Sequence, residues 1–275
     1  MTLADDLLAQ LKDGLAGPAP RVRALHLPPR PWNGTKDGEF CAIELDDGSL
    51  GLSYVLLDDT LARLASAGSD RQVVGADALE LAGRWRDGRG AERALGFAAV
   101  NALSRHLLDR AGRVPPDATD AIGGLDPQPG EHIGMVGLFP PLVRRVTACG
   151  ARLTVLELRE DLAGARADFT VSLDPAALAD CDKVLTTSTV LLNDTLDAIL
   201  AACSRARQVA MIGPGAGCLP EALFARGVTA VGGAWIVDRP GFVAALTRGE
   251  PWGGCARKTL WTAAQVPRQG ARPAN

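Results

Sequence analysis

The sequence predicts an α/β protein in which a small α+β region precedes a doubly wound parallel sheet. The first third carries a strong hairpin signal and a long helical pattern, whereas short β-rich runs alternate with helices from His132 onward. The stretch 112–130 is rich in Pro, Gly and Asp and lacks periodicity. We therefore expect one domain at 1–115 and a second at 130–265.

The first region begins with an amphipathic pattern from Leu3 to Leu15 that predicts a helix. RVRALHL then alternates like a strand, and FCAIEL and LGLSYVLL flank Asp46-Asp47-Gly48-Ser49, which is typical of a hairpin. From Arg89 to Arg110 apolar residues recur at spacings of three and four, with Gly112 placed to cap the end. This pattern predicts one long, half-buried helix.

The second region consists of alternating strand and helix candidates. The strand candidates are HIGMVGLF, RLTVLEL, DFTVSL, DKVLTT, QVAMIG and VTAVGG, and the helix candidates are PLVRRVTAC, NDTLDAILAAC, LPEALFAR and PGFVAALTR. Three of these helices end near a glycine, namely Gly150, Gly227 and Gly249. Such alternation favours a parallel sheet with helices packed against it.

Composition narrows the class of partner. The 275 residues carry a formal net charge of −3, and the basic residues are scattered, so we expect no nucleic-acid partner. The opening MTLADDLLAQLKDG is acidic where a signal peptide is basic, and no apolar run approaches the ~20 residues that span a bilayer. We expect a cytoplasmic protein with a small-molecule or metal ligand and no membrane partner. The assembly stays open, with a homodimer as one option.

The six cysteines form no CxxC pair, and the three histidines lie far apart, so no zinc module is indicated. Buried thiols in a reducing compartment are the expected role. We find no acid–base pair or catalytic triad, since His132 lies at the wrong end of its strand.

In an open α/β sheet, ligands bind beyond the carboxyl ends of the strands, where helix N-termini and backbone amides converge. The first strand delivers Gly137 and Phe139 to that edge, followed by two prolines. The pattern is Gly-x-x-Gly, not the dinucleotide fingerprint, and the prolines remove amide donors. Glu157 lies twenty residues after Gly137, where a ribose-binding acid is expected; a solvated residue of the ELRED run is the alternative.

The fourth strand ends in hydroxyl residues that include Thr187, Ser188 and Thr189, and Asn193 follows at the start of a helix. These groups are suited to bind a carboxylate, a phosphate or a hydrated metal. Helix capping is the competing explanation, because Ser, Thr and Asn are preferred there.

The fifth strand ends in IGPGAGCLP, in which Gly213, Gly215 and Gly217 are able to form an anion-binding nest. Cys218 lies beside a predicted helix N-terminus, which lowers a thiol pKa and favours metal binding or nucleophilic chemistry. A structural cysteine is the alternative. The sixth strand is predicted to end at Gly232-Gly233.

Three residues in the first region bear on the site. Trp32 and Asn33 lie in a turn-rich loop, where an exposed Trp suggests a partner surface, and an aromatic plug between the domains is the alternative. Asn101 interrupts the Ala-rich helix, and we expect it to face solvent.

Four segments, RALGFAAVNAL, GMVGLFPPLV, TTSTVLLNDTLDAIL and IGPGAGCLPEALFARGVTAVGGAWIVD, together resemble the family named "putative heavy-metal chelation". These uncharacterised prokaryotic proteins join an enolase-N-terminal-like domain to a Rossmann-like domain. The resemblance covers about residues 20–260 and implies an active site in the cleft between the domains.

Position by position, the resemblance implicates Gly137 and Phe139, then Ser188, Thr189 and Asn193, and finally Gly213 and Pro214. Family members usually place hydroxyl residues after that Gly-Pro pair, whereas this chain has Gly215-Ala216-Gly217-Cys218. Cys218 is thus a candidate softer metal ligand.

Two function classes and a third alternative follow from these residues. The first is binding of a small anionic or metal-containing ligand, with a divalent transition metal as the candidate ion. The second is an enzyme that uses a nicotinamide or S-adenosylmethionine cofactor through the first glycine loop and Glu157. A scaffold protein with structural glycines is the third.

Overall fold

The computed structural model describes residues 2–30, 34, 39–66 and 73–266. Trp32 and Asn33 lie outside the described residues. The chain forms two compact units. The first comprises 1–115, 214–222 and 233–259, and the second comprises 116–213, 223–232 and 260–275.

The described residues of the first unit before 116 form four α-helices and an antiparallel sheet. In chain order the elements are α1 (Leu3–Gly14), β1 (Val22–His26), β2 (Phe40–Leu45), β3 (Leu50–Tyr54), α2 (Thr60–Leu64), α3 (Ala78–Asp87) and α4 (Ala91–Arg110). Thr2 caps α1 by accepting a hydrogen bond from the Asp5 amide. The hairpin prediction is confirmed, because β2 pairs antiparallel with β3 across a turn in which Gly48 adopts a φ of 90°.

The long helix α4 is more buried than its sequence pattern predicts. Every residue from Ala94 to Ser104 is buried, so the expectation of a half-buried helix is wrong. The reason is close backbone packing: a Cβ on Gly51 would collide with the α4 main chain, and a Cβ on Gly96 would collide with the main chain of Trp85. Sheet and helix therefore enclose α4 from two sides, and Asn101 does not face solvent.

The rest of the chain alternates strands and helices. The strands and helices are β4 (His132–Val136), α5 (Pro140–Ala148), β5 (Arg152–Leu156), β6 (Gly164–Ala165), β7 (Thr170–Ser172), β8 (Lys183–Thr187), α6 (Leu196–Ala202), β9 (Gln208–Ile212), α7 (Glu221–Phe224), β10 (Ala230–Ile236), α8 (Arg239–Arg248) and β11 (Ala256–Thr262). Short 3-10 helices add to these, among them Ser188–Leu191 directly after β8. Gly249 ends α8 in the left-handed conformation with a φ of 68°, as its position predicts.

The large sheet has eight strands in the order β11-β10-β9-β8-β4-β5-β7-β6. The strands β4, β5, β7, β8, β9 and β10 pair in parallel, and β6 pairs antiparallel with β7. In chain order, the first strand of this sheet is β4. The strands β5 and β7 are then added on one side of β4, and β8, β9 and β10 follow on the other side. The predicted α/β class with a mostly parallel sheet is confirmed.

Two strand predictions need correction. β10 does not end at Gly232-Gly233 but continues to Ile236. Gly233 permits this because its Cα lies against the Ala216 carbonyl, where a Cβ would be 2.6 Å from the oxygen. β11 is not predicted at all, since charged residues interrupt the apolar alternation of ARKTLWT.

The core of the second unit lies on its parallel strands. Ile133, Met135, Leu153, Val155 and Leu185 are buried together there. Such continuous apolar strands are typical of parallel sheets, which are covered on both faces. Within the described part of the chain, no helix is long and apolar enough to cross a membrane.

Candidate functional site

Residues predicted from three separate strand ends meet along one edge of the second unit. A Cβ placed on Gly137, after β4, would lie 3.5 Å from both the Phe139 ring and the Thr187 methyl group. A Cβ on Gly213, after β9, would lie 2.5 Å from Ser188 Oγ. The tips of β4, β8 and β9 are therefore in contact. The chain order reverses between β4 and β8, which is the position where open α/β sheets bind ligands.

Ser188 is the most unusual group at this edge. Ser188 is only 5% exposed as a residue, but its Oγ is not among the fully buried side-chain atoms that lack a partner, so with no protein partner in the described residues this hydroxyl reaches solvent. The neighbouring threonines pair with each other, because Thr187 Oγ1 accepts hydrogen bonds from the amide and hydroxyl of Thr189 at 3.3 and 3.1 Å. The Ser188 hydroxyl therefore remains as a donor beside the side-chain-free Gly213.

The first glycine loop offers few amides to an anion. The Gly137 amide donates to the Leu156 carbonyl at 2.9 Å, and the amides of Leu142 and Val143 both donate to the Phe139 carbonyl. Pro140 and Pro141 have no amide hydrogen. The N-terminus of α5 thus lacks the set of free amides that a pyrophosphate requires.

Glu157 accepts from another amide of that loop. Its Oε1 accepts from the Leu138 amide at 2.6 Å and its Oε2 accepts from the Leu158 amide at 3.2 Å. The partly buried carboxylate forms no ion pair among the described residues; Arg159, which bonds Asp161 at 3.1 and 2.6 Å, attracts it only at longer range. A carboxylate of the chain itself is therefore fixed next to Gly137.

Asn193 has a local structural task. Its Oδ1 accepts from the Thr195 amide at 3.3 Å and from the Thr195 hydroxyl at 2.6 Å, just before α6 begins. This is an Asx turn before the N-cap residue Thr195 and not the helix cap considered from the sequence, because α6 has no side-chain capping bond. A ligand contact through the Asn193 amide nitrogen stays a prediction.

Pro214, Gly215 and Cys218 belong to the first unit. Cys218 is 2% exposed, and burial raises the pKa of its thiol to about 12. The expected lowering of this pKa is therefore wrong, because α7 spans only four residues and the sulfur is excluded from water. The thiol stays protonated at neutral pH.

Sequence reasoning missed Asn101, which fixes the glycine-rich loop of the first unit. Its Nδ2 donates to the Leu52 carbonyl at 2.7 Å and to the Gly215 carbonyl at 2.8 Å, while its Oδ1 is buried without a partner. One turn later, Ser104 Oγ accepts from the Leu219 amide at 3.2 Å. The available signal was an isolated amide in an otherwise apolar helix segment.

The described residues contain no ready cluster of metal-binding side chains. No group of three or more His, Cys, Asp or Glu side chains in those residues is arranged to hold a metal ion. Burial also raises the thiol pKa values of Cys41 and Cys203 to about 12 and that of Cys181 to about 11. A metal that bound these thiols would have to displace their protons, since the thiolate is the ligand.

Comparison with known proteins identifies related sequences in both halves of the chain. Two family models, each described as "Putative heavy-metal chelation", match residues 38–104 and 120–264. An uncharacterised protein of Methanocaldococcus jannaschii is 30% identical over 150 residues, which cover 54% of this chain and 56% of that protein. The chain thus spans about half the length of this curated relative.

Two crystal structures of proteins of unknown function from this family show the same fold. The protein from Pyrococcus horikoshii is 18% identical with a TM-score of 0.68, and the match covers 95% of this chain and 100% of that one. The protein from Desulfitobacterium hafniense is 19% identical with a TM-score of 0.67, covering 94% and 98% of the two chains. At these identities the likeness concerns the fold alone.

Proposed function

We propose, from the premise that this chain belongs to the family described as "Putative heavy-metal chelation", that its second unit binds a small oxyanion, such as a carboxylate. The single observation that carries this proposal is the solvent-accessible hydroxyl of Ser188, which has no protein partner in the described residues and lies beside Gly213, where no side chain fills the space. A heavy metal would be taken up as a complex whose carboxylates contact this edge, because the described side chains supply no cage for a bare ion.

The energetic reason lies in the strength of a charge-assisted hydrogen bond. A bond from the Ser188 hydroxyl to a charged acceptor contributes about 1.5–3 kcal/mol, against about 0.5–1.5 kcal/mol for a bond between neutral groups. Gly213 keeps the adjacent space free of a side chain, and its φ of +144° disfavours other residues. These features support a ligand oxygen at the β8–β9 tips.

The same geometry favours an oxyanion binder over the nucleotide-dependent enzyme. A dinucleotide pyrophosphate needs free amides at the first helix, where prolines and the Phe139 carbonyl have removed most of them. A single carboxylate at Ser188 does not depend on those amides.

Thermal unfolding of untagged protein tests the proposal with butyrate, citrate, the nickel–citrate complex, nickel chloride, NADH and S-adenosylmethionine as probes. We expect stabilisation by butyrate, citrate and the complex, of about 2.7 kcal/mol at a hundredfold excess over the dissociation constant. Ser188→Ala should abolish it. Stabilisation by nickel chloride alone, or by the nucleotides alone, would contradict the proposal.

A further inference from the structure

We infer that the ligand of this edge carries two different groups: an oxyanion that contacts Ser188 and a hydrogen-bond donor, an ammonium or hydroxyl, that contacts Glu157. This inference rests on the proposed function for its Ser188 end. Its second end rests on a separate observation, the unpaired carboxylate of Glu157.

Glu157 has acceptor capacity that the described protein does not use. A carboxylate offers about four acceptor positions, and only the amides of Leu138 and Leu158 occupy two of them. Its negative charge lies at a partly buried position and forms no direct ion pair among the described residues, because the nearby Arg159 bonds Asp161 and attracts Glu157 only at longer range. A second anion next to it would be repelled, whereas a cationic or hydroxyl group of a ligand would complete its hydrogen bonding.

The sheet fixes the approximate length of such a ligand. Glu157 Oε1 reaches the Leu138 amide beyond β4, and Ser188 Oγ lies beside Gly213 beyond β9. β4 and β9 lie on either side of β8, so these two points are separated by two strand spacings, or about 10 Å. Two hydrogen bonds of about 2.8 Å each leave on the order of 4–5 Å between the two ligand groups. A four-carbon ω-amino acid has this reach.

The surface between the two polar ends is apolar. The Phe139 ring lies against Gly137, and the methyl group of Thr187 approaches the same glycine. Methylene groups of a short chain can pack there without losing hydrogen bonds to water. The edge therefore matches a molecule with an oxyanion, a short aliphatic stretch and a donor, in that order.

Three probes of equal length test this polarity by calorimetric titration: 4-aminobutyrate, butyrate and succinate. We expect wild-type protein to bind 4-aminobutyrate about tenfold more tightly than butyrate, which corresponds to about 1.4 kcal/mol, since its ammonium group adds a charge-assisted bond to Glu157. Succinate should bind most weakly of the three because its second carboxylate faces Glu157.

Glu157→Gln separates the two ends of the site. Glutamine keeps an acceptor for the Leu138 amide, so we expect butyrate binding to persist while the preference for 4-aminobutyrate disappears. Glu160→Gln is the matched control, because it removes the same charge from an exposed position nearby and should keep the preference.

The outcomes distinguish the two proposals. If wild-type protein binds butyrate as tightly as 4-aminobutyrate, or if Glu157→Gln keeps the preference, the inference is overturned while the proposed oxyanion site stands. If none of the probes binds, or if Ser188→Ala leaves all affinities unchanged, the proposed function fails as well.

Discussion

The two edges of the parallel sheet in the second unit treat polar groups in opposite ways. At the amino edge, Lys183 Nζ lies 2.9 Å from Glu131 and donates to the Asp126 carbonyl at 2.7 Å, and Arg207 also contacts Glu131. At the carboxyl edge, the Ser188 hydroxyl and part of the Glu157 carboxylate have no such partners in the described chain. The comparison teaches that hydrogen-bond satisfaction, more than residue type, marks the edge suited to a ligand.

The largest expected effect concerns the amino edge. Lys183 is 6% exposed, so replacing it with methionine breaks a buried ion pair and should lower the free energy of unfolding by about 3 kcal/mol. Urea denaturation measures this change. Arg205→Met removes a pair whose side chains are 75% and 72% exposed and should cost less than about 1 kcal/mol. Equal losses would show that the amino edge is not held by its buried charges.

The next effect concerns Gly213 at the carboxyl edge. Gly213→Ala places a Cβ 2.5 Å from Ser188 Oγ at a φ of +144°. We therefore expect the free energy of unfolding to fall by about 2 kcal/mol and butyrate binding to be lost. Gly130→Ala is the control, since Gly130 has a φ of +83° and open space around it. It should lose stability but keep binding. Retained binding in Gly213→Ala would count against the site.

A smaller effect should appear in the pH dependence of stability. His132 is buried at the amino edge, where Arg152 donates to its Nδ1 at 2.8 Å and its Nε2 lies 2.8 Å from Thr154 Oγ1. Burial and then the charge of Arg152 lower the pKa of His132 below its ordinary value of 6.5.

The unfolded chain therefore binds this proton at a higher pH than the folded chain does. The contribution of His132 to the free energy of unfolding is fully present above pH 6.5 and should decline as the pH falls from 6.5 toward the lowered pKa. His132→Gln should flatten this part of the curve of unfolding free energy against pH. A slope that is the same in both proteins would exclude His132 as its source.

The smallest effect on stability is expected for Ser188→Ala. Its hydroxyl has no partner in the described structure, so its removal should change the unfolding free energy by less than about 0.5 kcal/mol. Ser104→Ala is the matched buried serine, and it should cost about 1–2 kcal/mol because the Leu219 amide loses its acceptor. A large loss in Ser188→Ala would indicate a structural role for the hydroxyl.

The sequence was informative where local patterns decide the structure. Strand–helix alternation predicted that Gly137, Thr187, Ser188 and Gly213 follow strands, and parallel pairing brings such ends to one edge. The shortage of free amide donors in the first loop could be predicted only in part. The two prolines are visible in the sequence, whereas the hydrogen bonds to the Phe139 carbonyl appear only in the structure.

Tertiary contacts decided the rest. The burial of α4 depends on distant glycines that admit a neighbouring backbone, so neither it nor the role of Asn101 follows from helical periodicity. The pKa of Cys218 depends on exclusion of water, which outweighs the neighbouring helix N-terminus. The unused acceptor positions of the Glu157 carboxylate likewise cannot be predicted from the sequence, because they depend on which groups lie near it in the folded chain.

The most direct test follows the backbone amide resonances of Ser188 and Gly213 during a butyrate titration of wild-type protein and Ser188→Ala. An oxyanion held between the tips of β8 and β9 predicts saturable shifts at both positions in the wild type and their loss in the variant. Shifts confined to other parts of the chain, or identical shifts in both proteins, would contradict an oxyanion site at Ser188.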